Sequence, residues 1–74
     1  MDEKLIKGLM NFKADLSQAV EKSSDVQRCL TGTLTRLNNY ELPLAEASYL
    51  DSLQALKELG TILRDLRGKM EGIQ

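Results

Sequence analysis

Cys29 is the one thiol in the chain, and Asp15, Glu21, Asp51, Glu58 and Asp65 are the carboxylates spread along its long periodic stretches. General acid–base chemistry most often uses histidine, and the 74 residues contain none. A single cysteine without histidine cannot assemble a typical zinc site, nor can it close a disulfide within the chain. Cys29 neighbours Val26 and Leu30 on a helix, which fits a half-buried structural thiol better than a nucleophile. The carboxylates fall at surface positions, with Asp51 near Lys57, as solvated helix faces do. "GKMEG", residues 68–72, follows periodic sequence and does not open a helix, so it is no phosphate loop. The reading is a non-enzyme with no catalytic, cofactor-binding or metal-binding residues.

Nucleic acid is the other chemistry to weigh. Lys57, Arg64, Arg67 and Lys69 gather toward one end, and a small helical hairpin resembles in outline the Rop-like RNA-binding homodimers. Complementing a helix dipole and keeping the chain in solution account for these cations without RNA. Phe12, Tyr40 and Tyr49 are the only aromatics, which leaves little for base stacking. Ten basic against eleven acidic residues give a net charge of −1, so no global field draws the chain to RNA or anionic lipid. RNA binding stands as the alternative function.

The apolar residues must then be doing the work of binding. On the first half, spacings of four and three pick out Leu5, Leu9, Phe12, Leu16, Ala19, Ser23, Val26, Leu30, Thr33 and Leu37. On the second half they pick out Ala45, Tyr49, Ser52, Leu56, Leu59, Leu63, Leu66, Met70 and Ile73. None of these positions is charged although 28% of the chain is, so the period is helical and not accidental. Ile6, Met10, Val20 and Leu34 widen the first stripe, and Leu50, Leu53 and Ile62 the second. A stripe that broad belongs to a helix touching more than one neighbour.

Punctuation agrees with two helices. Asp2 suits an N-cap with Glu3 in the first turn, and Asn38–Asn39 suit a left-handed C-cap. Pro43, the only proline, suits the first turn of a second helix. Tyr40 and Tyr49 flank the turn and are expected to pack over it, the alternative being partner anchors. The fold class is an all-α antiparallel two-helix hairpin in one domain spanning residues 1–74. Helix one covers about 3–39, the turn 40–43 and helix two about 44–70. "SSDVQ" also reads as a capping box from Ser24 to Gln27, which leaves room for a break near residues 23–24. Residues 3–22 would then fold back as a separate helix.

At 1.5 Å per residue, helix one reaches about 55 Å and helix two about 40 Å. Folding the second back leaves the first ten or so residues uncovered. They carry Leu5, Ile6, Leu9 and Met10, so residues 3–16 are expected to dock on another surface. The partner-binding candidates are Leu5, Ile6, Leu9, Met10, Phe12, Leu16, Tyr49, Leu50 and Leu53. A core in a chain this small seldom supplies more than about 3–5 kcal/mol, which itself favours a partner or self-association. No uncharged run nears the ~20 residues of a membrane span. Asp2, Glu3, Lys7 and Lys13 break any secretory signal pattern, and a lone cysteine fits a reducing compartment, so a cytoplasmic location is expected.

"SYLDSLQALKELGTILRDL", residues 48–66, resembles the second helix of the small type III secretion needle co-chaperones, the YscE/PscE/EscE group. Tyr49, then Ala55–Leu56 with Glu58, then Ile62–Leu63 and Leu66 take the places of that family's tyrosine, alanine–leucine–acidic core and aliphatic run. Pro43 stands in a loop without glycine, and Lys57 separates Ala55–Leu56 from Glu58. Size and hairpin layout match over most of the chain, the residues only over the second helix. The resemblance implies a cytosolic co-chaperone. With a helical-repeat partner chaperone it would form a hetero-oligomer that keeps the needle subunit soluble and unassembled, by protein–protein interaction alone. A third type of small hairpin, a phosphatase, would need a Ser-Gln-Glu-Leu-Asp signature, and "SLQAL" at 52–56 does not supply it.

Overall fold

The computed structural model of the chain describes residues 2–73, with the side chain of Ile73 outside the description. Two α-helices, α1 (Glu3–Asn38) and α2 (Leu42–Ile73), pack side by side in opposite directions, and no strand occurs among the described residues. The seam position read at Ile73 and the terminal residues Met1 and Gln74 lie outside what can be compared.

α1 starts as its sequence dictates. The Asp2 carboxylate accepts a hydrogen bond from the Lys4 N–H at 3.1 Å, with Glu3 favourably placed in the first turn. The break near residues 23–24 does not form. α1 continues through Ser24, the cap of the candidate box, without interruption, and the neighbouring Ser23 hydroxyl donates back along the helix to the Val20 carbonyl at 2.7 Å. Thr33 and Thr35 do the same to Cys29 and Thr31. A separate helix from residues 3–22 is therefore absent.

The end of α1 is a Schellman turn. The Tyr40 N–H bonds the Leu37 carbonyl at 3.1 Å, and the Glu41 N–H bonds the Arg36 carbonyl at 2.9 Å. The left-handed residue of this motif is Tyr40, with φ 58°, while Asn39 keeps φ −95°. The asparagines are thus one step too early for the role their type suggests. α2 begins at Leu42 because the Ala45 N–H already reaches the Glu41 carbonyl at 2.9 Å. Pro43 falls in that first turn, where its missing N–H costs nothing. α2 then runs past residue 70, through Gly68 and Gly72, to Ile73.

The extra length changes the open end. At 32 residues α2 is about 48 Å long against about 54 Å for α1. Gly72 shares a cleft with Leu5 and Gly8, so the uncovered length of α1 shrinks to about one turn. The whole is a rod of 58 × 15 × 12 Å with a radius of gyration of 17.0 Å. A compact chain of this length would have about 11 Å, so there is no third layer around which to build a core.

The seam itself departs from the sequence reading by one column on each helix. On α1 the inward positions are Gly8, Phe12, Asp15, Ala19, Lys22, Val26, Cys29, Thr33 and Arg36. On α2 they are Ala45, Ser48, Ser52, Ala55, Leu59, Ile62 and Leu66. Phe12, Ala19, Val26 and Thr33, with Ala45, Ser52, Leu59 and Leu66, are common to both registers. Apart from Ile62, the second column of each seam is polar or small where large apolar residues were expected. Asp15 and Lys22 accordingly sit at the seam, not on a solvated face. Lys22 pairs with Glu58 at 2.6 Å, Lys69 pairs with Asp15, and Arg36 donates to the Ser48 hydroxyl at 2.7 Å. Three polar links along the rod set the relative height of the helices.

Little apolar surface is removed from water in the process. Ala19, Ala45, Ala55 and Leu66 are the buried apolar residues among those described, with Ser52 beside them. Small side chains let the backbones approach, and Ala45 is only 2% exposed. They also contribute little transfer free energy, since fully burying even a leucine stabilises by only about 1.5–3 kcal/mol.

Candidate protein-docking surface

The columns displaced from the seam form a surface of their own. On α1 it holds Leu9, Leu16, Leu30 and Leu37, with Ser23 between them; on α2 it holds Tyr49, Leu56, Leu63 and Met70. Each of these apolar side chains is between 41 and 52% exposed. In an antiparallel pair the residues just beyond the second seam column of both helices project on the same side of the seam. The loop end shows it directly, where Leu37 of α1 and Leu42 and Tyr49 of α2 line one groove of about 300 Å³ with Thr33, Ala45 and, at its edge, Glu46. Ile6, Val20 and Leu34 extend the surface outward on α1, and Leu53 on α2, because each lies three or four residues from a member of the displaced column.

The opposite flank has a different character. Gln18 and Asp25 occupy it on α1, and Asp51, Glu58 and Asp65 on α2. Gln18 and Asp65 share a small cleft there with Asp15, Ile62, Leu66 and Lys69. The hydrogen bond from Lys22 holds the Glu58 carboxyl below its usual range, with Gln54 adding a second donor, and the same contact raises Lys22. The hairpin therefore has a mainly apolar side, whose outer edge also carries Lys13 and Glu46, and an acidic side laced with ion pairs.

The nine partner-binding candidates distribute unevenly over this frame. Leu9, Leu16 and Tyr49 lie in the displaced columns, Ile6 and Leu53 beside them, and Leu5 at the head of the seam. Met10 and Leu50 are exposed on the backs of their helices, away from the seam, and Phe12 is half-buried in it. Leu30, Leu37, Leu56, Leu63 and Met70 belong to the periodic stripes but not to the partner-binding candidates, and the surface runs through them. Periodicity could not find this, because it registers a stripe without saying which edge of the stripe faces the neighbouring helix. The telling signal was the charge-free column itself, next to a column holding Asp15, Lys22 and Arg36.

Tyr40 is not packed over the turn. It is 90% exposed at the tip of the rod, held in left-handed backbone. Tyr49 is half exposed and faces the groove.

Cys29 is free and half-buried in the seam, and no cluster of ligating side chains suited to a metal occurs among the described residues. A hollow of about 860 Å³ is an open trough along Ser24, Arg28, Thr31 and Arg36, and Arg28 is already paired with Asp25 at 3.2 Å. The basic group considered for RNA is partly engaged: Lys69 bonds Asp15, and Arg67 lies 3.6 Å from Glu71. No described helix is long and apolar enough to cross a membrane. No family model, curated protein or solved structure matches the chain.

Proposed function

We propose that the chain is a non-enzymatic protein-binding module, a co-chaperone of the type III secretion kind. With a helical-repeat partner chaperone it would keep a self-assembling, amphipathic needle subunit soluble and unassembled. The observation that carries this reading is the apolar side of the hairpin, to which both helices contribute over nearly their full length. A contiguous apolar strip bordered by charge marks an interaction surface in a small protein. Helical-repeat proteins present concave surfaces made for such a partner. Binding energy alone does the work, since a subunit whose apolar stripe is buried cannot polymerise through it. The polar flank, with Asp51, Glu58 and Asp65, repels a phosphate backbone and ranks the RNA alternative lower.

Co-expression with a candidate helical-repeat chaperone and its needle subunit tests the proposal. The expected result is a stoichiometric complex of all three chains. The double substitution Leu16→Asp with Leu56→Asp should weaken it by at least about a hundred-fold, the equivalent of withdrawing two buried leucines. A chain with no affinity for such chaperones that shifts RNA at physiological salt would overturn it in favour of the alternative.

A further inference from the structure

We infer that, in the absence of its partner, the apolar side of the hairpin is closed by a second copy of this chain, giving a two-fold symmetric four-helix bundle. This rests on reading that side as a docking surface, and it names an occupant that competes with the partner.

Area is the first argument. The chain exposes 5936 Å². A compact folded monomer of 8.3 kDa would expose only about 4,600 Å². The surplus of about 1,300 Å² is spread over the whole rod, and it exceeds the roughly 800 Å² that one subunit contributes to a standard interface. Shape is the second. The strip is two helices wide and spans most of a 58 Å rod, so a single partner helix laid in the central groove leaves the outer edge with Val20 and Leu34 in water. Its full complement is another pair of helices of the same length with the same charge-free columns. The hairpin's own other copy provides that, and a two-fold axis makes one patch serve as both halves of the contact. Composition is the third. The seam within the hairpin relies on small side chains and ion pairs, and apart from Leu59 and Leu66 the leucines of the stripe lie outside it. In the dimer those leucines become the core and the present seam one of its walls, which is the arrangement of a four-helix bundle.

The consequence for function is regulatory. A partner must displace one copy, so its apparent affinity falls as chain concentration rises, and the apolar strip is not left bare.

Sedimentation equilibrium and thermal unfolding of the full chain over a hundred-fold concentration range test this. The expected mass is twice that of one chain, and the Tm rises with concentration because unfolding and dissociation are linked. Leu56→Glu, counted twice by symmetry, should weaken self-association on the order of a hundred-fold or more. Asp51→Asn on the polar flank should leave it unchanged. If the monomeric variant unfolds, the concentration-dependent Tm of the unaltered chain still decides the matter. A mass of one chain with a concentration-independent Tm overturns the dimer, as does loss of self-association in Asp51→Asn with Leu56→Glu unaffected. A monomer that binds a helical-repeat chaperone would sink the dimer and leave the docking surface standing. A dimer with no affinity for such partners would keep the dimer and overturn the co-chaperone reading.

Discussion

Tyr40 shows how a single residue can hold a conformation its side chain disfavours. Left-handed backbone costs an L-residue roughly 1–2 kcal/mol, and glycine escapes it. Here the two hydrogen bonds of the Schellman turn, from the Tyr40 and Glu41 amides, hold the position regardless. The side chain recovers nothing by packing, since it is 90% exposed. Tyr40→Gly is therefore expected to stabilise the fold by about 0.5–1 kcal/mol, net of glycine's greater unfolded-state entropy. Urea unfolding at fixed chain concentration measures it, and a loss of stability would mean that the ring makes a contact beyond this hairpin. A sequence reader sees Asn38–Asn39 and gives them the left-handed role by type. Which residue takes it depends on where the last helical hydrogen bond closes, and residue preference does not encode that.

At the scale of the helices, their number, their direction and the neighbourhood of their starts were legible, while the stop of α2 was not. Asp2, Pro43 and the four–three spacing each place an element, because capping and periodicity are local properties. The rotation of each helix about its axis was not legible. Leu9, Leu16, Leu30 and Leu37 look like core by any hydrophobicity argument, yet the hairpin turns them aside and puts Asp15, Lys22 and Arg36 between the helices. Long-range pairings decide this, and a period has no term for them. The pair Lys22–Glu58 gives a test with a definite sign. Glu58 is held below its ordinary value of 4.5, so its contribution is present above that pH and is lost as pH falls through the lowered value. Lys22 is raised above 10.5, so its contribution is present below that pH and fades as pH rises through the raised value. Stability should have a plateau bounded by these two limbs. Glu58→Gln should flatten the acid limb below pH 4.5 in thermal melts, and an unchanged acid limb would show that the contact does not form in solution.

A rod two helices thick, with leucines on one side and carboxylates on the other, has no interior in which to hide those leucines. The uncovered end of α1, expected from helix lengths, turned out to be about one turn, because α2 continues to Ile73. What the sequence placed at one end is spread along the rod, and residues such as Leu30 and Leu63 join Leu9 and Leu16 in it. The central claim is that this side, and not the acidic flank or the tip, meets other protein. Hydroxyl-radical footprinting of the chain, alone at low concentration and in complex, reads the leucine, methionine and tyrosine side chains directly. The account predicts strong protection of Leu16, Leu30, Leu56, Leu63 and Met70 in the complex, with Tyr40 and Leu50 still reactive. Protection of Tyr40 and Leu50 with the leucine columns left open would contradict it.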